Sequence, residues 1–222
     1  MQIGVRPIYS RPAETDGCSL PNASHLRSVP AGLDQAPDAD LLARTAAGEQ
    51  RAFAALVDRH FAVVHRVVWR MLNGHADAED VAQEAFLRLW RNPKQVRDGA
   101  AVKGWLMRVA TNVVMDRHRA KPMQQISEEF EVVDDRETAD EQIDRNRAVA
   151  CIDAAVAGLP HRQKLALTLV HYEHLTNIAA AEIMDLSVDA LESLLARARR
   201  SLKERLAPNK NSLLSILTAE RI

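Results

Sequence analysis

The sequence predicts an all-α protein in which two small helical domains are joined by an acidic, flexible linker. Apolar residues recur at three- and four-residue steps through most of the 222 residues, which is the period of a helix with one buried face. Glycine and proline, with 8 and 9 copies, are too few to interrupt that pattern often. The net charge is only −1, but the segment 122–144 contains nine acids and one base. Such a charge block is typical of a solvated linker, so it divides the helical sequence into two parts.

Changes in composition along the chain predict five segments. Residues 1–37 hold five of the nine prolines and little helical periodicity, so we expect a disordered extension there. The first domain is predicted over residues 38–121 as a bundle of four helices, and the acidic linker over residues 122–145. The second domain is predicted over residues 146–207. Residues 208–222 are a tail whose apolar residues suit a small amphipathic helix that packs on its own domain or meets a regulatory partner.

Composition also excludes several classes of protein. Two cysteines, Cys18 and Cys151, are too few for a disulfide framework, which favours a reducing, cytoplasmic setting. No apolar run approaches the roughly 18 residues of a membrane span, and the N-terminus lacks the layout of a signal peptide. The histidines form no cluster with cysteines or carboxylates at metal-ligand spacing, and no catalytic motif is present. We therefore expect no enzyme, no metal and no cofactor.

The helix predicted to begin at Asp77 has a candidate protein-binding face. Asp77 is expected to cap this helix, and Asp80 adds a second carboxylate to its first turn. Leu87 lies at the centre of the polar side, and a bulky apolar residue ringed by carboxylate and amide groups is typical of a helix-docking site. At 100° per residue the predicted buried stripe is Val81, Ala82, Ala85, Phe86 and Leu89, and the opposite face is Asp80, Gln83, Glu84, Leu87 and Arg91.

The helix that contains Gly104 to Asn112 has a candidate nucleic-acid-binding face. Arg108 and Arg119 can pair with phosphates, and Asn112 can bond to base edges. A solvated polar face without function is the alternative. The residues predicted to point inward are Trp105, Leu106, Val109, Ala110 and Val113, and those predicted to be exposed are Arg108, Thr111, Asn112, Met115, His118 and Arg119.

The second domain has the dimensions of a helix-turn-helix. A helix over Leu175–Met184 is followed by a tight turn and by a helix over Val188–Arg200, with Ser187 as the predicted N-cap. From Ser193 to Lys210 there are six bases and one acid, which favours a DNA-recognition helix over a merely solvated basic face. On the second helix Val188, Leu191, Leu195, Ala198 and Leu202 are predicted to face inward, Asp189, Ser193, Ala196, Arg197 and Arg200 to face outward, and Glu192 and Arg199 to lie at the edge.

The sequence resembles a known family in two segments, Asp77–Arg91 and Gly104–Asn112. Their order and spacing are similar to those of the second conserved region of bacterial sigma factors. Within the sigma-70 family, the resemblance is to the extracytoplasmic-function class. The C-terminal third resembles the fourth region, so the resemblance extends from about Asp38 to Leu206. It implies a transcription initiation factor that binds core RNA polymerase, directs it to specific promoters and helps to melt the DNA, while the polymerase does the chemistry. It also implies an anti-sigma factor as a partner that covers the binding faces.

The resemblance assigns three sets of site residues. A loop before the Gly104 helix is expected to capture a base extruded from the melted downstream promoter element. Glu192 stands where many relatives carry a base, and an acid can accept a hydrogen bond from cytosine, which would alter sequence preference. The residues implied are Asp80, Gln83, Glu84 and Leu87 for core polymerase; Arg97, Asp98, Gly99, Ala100, Arg108, Asn112 and Arg119 for the downstream element; and Ser187, Asp189, Ala190, Glu192, Ser193, Arg197 and Arg200 for the upstream element.

Two other hypotheses remain open at this point. The chain is a sigma mimic that sequesters an anti-sigma factor, or an ordinary helix-turn-helix transcription regulator with an effector domain. Basic helices in both domains argue against a mimic, which has no need to bind DNA. The N-terminal half resembles a polymerase-binding module and not a ligand pocket, which argues against the regulator. The acidic linker adds a hypothesis of its own, since in the family this segment threads the RNA path of the polymerase and can stand in for nascent transcript.

Overall fold

A computed structural model describes residues 33, 35–96, 101–120 and 139–209, with the side chains of residues 120 and 139–147 excluded. The predicted all-α class is confirmed, since the described residues form helices and no strand. The extension before residue 33, the loop 97–100, residues 121–138 of the predicted linker and the tail beyond 209 lie outside the described residues. The α-helices are α1 (Asp38–Ala46), α2 (Gln50–Met71), α3 (Asp77–Arg91), α4 (Val102–Ala120), α5 (Ala139–Ala157), α6 (His161–Leu167), α7 (Asn177–Met184) and α8 (Val188–Leu206), with 3₁₀ turns at Pro93–Gln95 and Ala207–Asn209 and a π-helical turn at Thr168–Tyr172.

Helices α1 to α4 form the bundle predicted for the first domain. The long α2 lies at its centre and packs against α1, α3 and α4. Its middle is tied to the start of α1 by Asp38, which accepts a hydrogen bond from Arg59 Nη1 at 2.5 Å and pairs with His60 Nε2 at 2.7 Å. The largest fully buried side chains of this domain are Leu41, Leu56, Val64, Val67, Val68, Met71, Val81, Leu89, Leu106 and Met107.

Two expectations about the first domain are wrong. Asp77 does not cap α3, because the helix already begins at that residue and the Asp77 N–H donates to His75 Nδ1 at 3.2 Å. Thr111 is 2% exposed and not on the outer face of α4. Its hydroxyl donates to the Met107 carbonyl one turn earlier, at 2.8 Å, so the side chain is buried without any partner outside its own helix. Trp105 and Val109, predicted to point inward, are half-buried and pack against the apolar core.

Helices α5 to α8 form the second domain. Helix α5 begins at Ala139, inside the segment predicted as linker, and packs against α8. The helix predicted from His161 to Tyr172 changes to the π-helical turn at Thr168. The helix-turn-helix has the predicted dimensions: Asp185 takes a left-handed conformation with φ 55° between α7 and α8. Thr176 caps α7 through the Ala179 N–H, which is why α7 begins two residues later than predicted.

The two domains pack against each other. Helix α4 contacts α7, and α6 with the π-helical turn contacts α2. Leu165, Leu169, Ile183 and Leu191 of the second domain belong to the same apolar cluster as the core of the first. The sequence pattern predicted only a flexible linker between the domains and did not predict this interface. Among the helices described, none is long and apolar enough to cross a membrane.

Candidate functional site

The outer face of α3 is largely open to solvent. The predicted stripe of Val81, Ala82, Ala85, Phe86 and Leu89 is buried, which leaves the opposite side of the helix facing out. Asp80 and Gln83 are exposed, while Glu84 and Leu87 are half-buried. This set presents two carboxylates, an amide and an apolar side chain on one helix face.

Hydrogen bonds fix two of these side chains in place. Gln83 Nε2 donates to Glu79 Oε1 at 3.0 Å on the same helix. Glu84 accepts from Arg88 at 2.5 Å and pairs with Arg117 Nη2 of α4 at 3.5 Å. The Glu84 carboxylate therefore joins the α3 face to α4, a link that the sequence pattern did not predict.

The polar face of α4 faces the second domain. Arg108, Asn112 and Arg119 are exposed as predicted, and Met115 and His118 are half-buried. Arg108 Nη2 pairs with Asp185 Oδ1, in the turn between α7 and α8, at 3.1 Å. The loop residues Arg97, Asp98, Gly99 and Ala100, predicted to hold an extruded base, lie outside the described residues.

A cleft of about 760 Å³ separates α3 and α4 from α6 and α7. Its lining is basic: four arginines and one acid, Asp116, contribute to it. Asp116 also lies 3.7 Å from Arg119, so the acid is engaged by the helix that bears it. The residues that line the cleft are Arg88, Arg91, Asn92, Gln95, Val109, Thr111, Asn112, Met115, Asp116, Arg119, Arg162, Leu165, Ile183 and Met184.

The outer face of α8 is exposed as predicted. Ser187 caps the helix by accepting from the Ala190 N–H at 3.2 Å. Leu191, Leu195 and Ala198 are buried against the rest of the domain. The exposed residues are Asp189, Glu192, Ser193, Ala196, Arg197, Arg199 and Arg200, and Ala190 is half-buried.

Glu192 and Arg197, two of the side chains on this face, already have partners. Asn177 Nδ2 of α7 donates to Glu192 Oε1 at 3.1 Å. Arg197 Nε donates to the Ser193 carbonyl at 3.1 Å, so its guanidinium lies along its own helix. Both contacts are exposed and can be exchanged for contacts with a ligand at little cost.

Three ionisable residues lie between the domains, and the sequence pattern named only one of them, His118. Burial lowers the pKa of Lys164 to about 8. Burial, and then repulsion from His118 and Lys164, lowers the pKa of His161. The rings of His118 and His161 are in contact, with centroids 3.5 Å apart. No group of three or more metal-ligating side chains occurs among the residues that the structure describes.

Comparison with known proteins gives a consistent answer for both domains. The family models that match are Sigma-70 region 2, over residues 56–122, and Sigma-70 region 4, over residues 150–202. The ECF RNA polymerase sigma factor SigM of Mycobacterium tuberculosis is 30% identical over 174 residues, which cover 77% of this chain and 85% of that protein. SigW of Bacillus subtilis is 28% identical over 170 residues, covering 72% of this chain and 91% of that one.

Solved structures show the same likeness. CnrH, determined in complex with the cytosolic domain of CnrY, is 25% identical with a TM-score of 0.57, covering 78% of this chain and 99% of that one. RpoE of Bartonella quintana has a TM-score of 0.58 at 18% identity, over 70% of this chain and 96% of that one, which supports the fold. With both regions present in order and 30% identity over most of both chains, this protein belongs to the extracytoplasmic-function family of RNA polymerase sigma factors.

Proposed function

We propose that this sigma factor holds core RNA polymerase with the outer face of α3 and contacts two promoter elements with α4 and α8. The protein is an initiation factor and not an enzyme, so its task is to position polymerase and DNA. The observation that carries the proposal is that three polar faces follow one another along the chain, each on a helix whose other side is buried. A buried stripe fixes the rotation of each helix, and that rotation decides which side chains a partner meets.

Each face has the chemistry for its partner. Asp80, Gln83, Glu84 and Leu87 suit a protein helix, since an apolar side chain is surrounded by hydrogen-bonding groups. On α4, Arg108 and Arg119 suit phosphates and Asn112 suits a base edge, and the loop residues Arg97 to Ala100 complete this proposed downstream site.

The proposed upstream site is the exposed face of α8. Ser187 and Asp189 lie at the N-terminal end, where a recognition helix enters the major groove. Arg197 is proposed to contact bases and Arg200 a phosphate, because Arg197 lies nearer the middle of the face. Ala190, Glu192 and Ser193 complete the set.

An anti-sigma factor is part of the proposal. The solved chain of Bartonella quintana RpoE is bound to the anti-sigma factor NepR. We further propose a cytoplasmic location, where core polymerase and the chromosome are.

Run-off transcription with purified core polymerase and genomic DNA of the source organism tests the proposal. Transcripts from a limited set of start sites, absent without the protein, are expected. Binding to an anti-sigma factor without transcription or binding to core would instead favour a sigma mimic.

The core-binding face can be tested separately. Gln83→Ala with Glu84→Ala should weaken binding to core polymerase by about 2 kcal/mol or more, the range of hot-spot positions, because the two side chains flank Leu87 at the centre of the α3 face. Glu49→Ala with Gln50→Ala is the matched control, since it removes the same two residue types at the start of α2. Fluorescence titration with core polymerase measures both. Equal affinity of the two double variants would refute the assignment of α3.

A further inference from the structure

Among the described residues, a two-bond ion pair links α2 of the first domain to Glu173, the residue after the π-helical turn. Arg66 donates to Glu173 through Nε at 2.8 Å and through Nη2 at 2.7 Å, which is the two-bond geometry of a strong guanidinium–carboxylate pair. The two residues are 107 positions apart. The Glu173 side chain is 3% exposed and that of Arg66 is 48% exposed.

Other contacts close the same interface. The ammonium of Lys164, on α6, contacts the Met71 carbonyl at 3.4 Å and the side-chain oxygen of Asn73, both at the end of α2. The guanidinium of Arg70 lies 3.9 Å from the centre of the Tyr172 ring, which is a cation–π contact. Together with the shared apolar cluster, these contacts dock α6 and α7 on α2 and α4.

The docked second domain covers part of the α4 face. Asp185 pairs with Arg108 at 3.1 Å, so a carboxylate occupies the place where a DNA phosphate would bind that guanidinium. Helix α7 packs along α4, and Ile183 and Met184 form the far wall of the cleft that contains Asn112. In contrast, Asp80 and Gln83 on α3 and the basic face of α8 remain exposed. The docked form therefore leaves Arg108, Asn112 and Arg119 open to solvent, but it engages Arg108 and places α7 across the cleft from Asn112, which narrows the space for a DNA strand at this one of the three proposed surfaces.

We propose that the docking of α6 and α7 on α2 and α4, held by the Arg66–Glu173 pair, is an autoinhibitory contact that must open before α4 binds the downstream promoter element. This inference rests on the proposed function of α4. The apparent activity of a protein whose competent form is a minor fraction rises in proportion to that fraction, so weakening the contact raises activity.

The two sides of the pair are not equivalent, and that difference gives a test. Arg66→Gln leaves the Glu173 carboxylate buried without a countercharge, and opening the domains returns it to water. Glu173→Gln leaves only a half-exposed guanidinium, which water already solvates. Arg66→Gln should therefore open the domains more than Glu173→Gln does. An exposed surface ion pair would give small and equal increases in domain opening for the two variants.

Energy transfer between two dyes on the full chain measures the opening. Labels are attached through Ala43→Cys on α1 and Lys203→Cys on α8, both at exposed positions of different domains, after Cys18→Ser and Cys151→Ser. We expect high transfer for the parent, because its domains are docked. No polymerase is present in this measurement, so its result does not depend on the proposed function.

Four variants are compared with the parent. Arg66→Gln should raise the ratio of open to docked molecules at least tenfold, and Glu173→Gln should raise it less. Arg66→Glu combined with Glu173→Arg should restore high transfer. Arg44→Gln is the matched control, since Arg44 makes the same two-bond pair with Glu49 at 2.6 and 2.7 Å within the first domain. Unchanged transfer in Arg66→Gln, or an equal change in Arg44→Gln, overturns the proposal.

A second measurement tests inhibition. The rate of stable promoter-complex formation is followed at limiting sigma factor, with core polymerase and the promoters found by run-off transcription. The rate should rise at least tenfold for Arg66→Gln and return to the parental value for the charge-reversed pair. Opening without a faster rate would show that the contact only holds the domains together, and would overturn autoinhibition. If the parent gives no transcription, the proposed function fails, and the transfer measurement still decides whether the pair holds the domains closed.

Discussion

Replacing Lys164 by methionine should raise the free energy of unfolding at neutral pH. The Lys164 side chain is 3% exposed, and burial lowers the pKa of its ammonium from 10.5 to about 8. Since one unit of pKa corresponds to about 1.4 kcal/mol, keeping this charge buried costs about 3 kcal/mol. Methionine loses the hydrogen bonds to Met71 and Asn73, which offsets about 1–2 kcal/mol. The expected net gain is about 1–2 kcal/mol.

The pH dependence of this gain has a definite sign. Between the buried pKa of about 8 and the ordinary value of 10.5, unfolded Lys164 binds more protons than the folded residue. The parent therefore becomes more stable as pH rises through that window, and the Lys164→Met variant does not. The advantage of methionine should shrink and then disappear. Two neighbouring ionisable groups are present in both chains: Asp153 favours the charged ammonium, and His161 lies nearby. They change the size of the pH-dependent difference in stability but not its sign.

Urea denaturation followed by circular dichroism at about pH 7 and about pH 10 measures both chains. Lys203→Met, at an exposed position of α8, is the matched control and should change stability little at either pH. The reasoning fails if Lys164→Met is less stable than the parent at neutral pH. It also fails if the difference is the same at both pH values.

Three further predictions concern α8 and the domain interface. Ser187→Ala should lower stability by about 1 kcal/mol in thermal unfolding, because the Ala190 N–H loses its cap; an unchanged melting temperature would contradict this. Arg200→Ala should weaken binding of cognate and scrambled duplexes alike, whereas Arg197→Ala should cost about 1–3 kcal/mol on the cognate duplex alone; salt titrations of both variants on both duplexes distinguish these effects. Burial lowers the pKa of His161, so the docked form should lose stability as pH falls below the ordinary histidine range, which would appear as lower energy transfer. The His161→Gln variant should lack the part of this pH response that is due to the His161 ring. An identical pH response in parent and variant would refute the role of His161.

Helical spacing predicted the buried side of each element well. The α3 stripe from Val81 to Leu89 and the core of α8 at Leu191, Leu195 and Ala198 are buried as predicted. This works because a helix has a fixed angle per residue, so position in sequence determines direction in space. Thr111 departs from the rule because its hydroxyl bonds within its own helix, which lets a polar residue lie in the core.

The contacts between domains could not be predicted in this way. Arg66 and Glu173 are far apart in sequence, and neither stands out in a local pattern of spacing or charge. Lys164 lies in a short helix whose pattern does not reveal that a second domain covers it. Periodicity indicates which face of a helix is buried, but not which element buries it. The assignment of residues to polymerase and to the two promoter elements stays a prediction, and its loop residues 97–100 lie outside the described part of the chain.

The hydrogen bond from Asn177 to Glu192 links a residue proposed to contact DNA to a residue outside the proposed contact set. Asn177 donates to Glu192 Oε1 at 3.1 Å and so orients the carboxylate, whose remaining lone pairs can accept from a cytosine amino group. Asn177 belongs to α7, outside the helix proposed to enter the groove. Substitutions at Asn177 can therefore strengthen or weaken the preference for cytosine while every residue of α8 is kept. If Glu192 contacts a base as proposed, promoter choice in this protein can evolve through a position outside the proposed DNA-contacting residues.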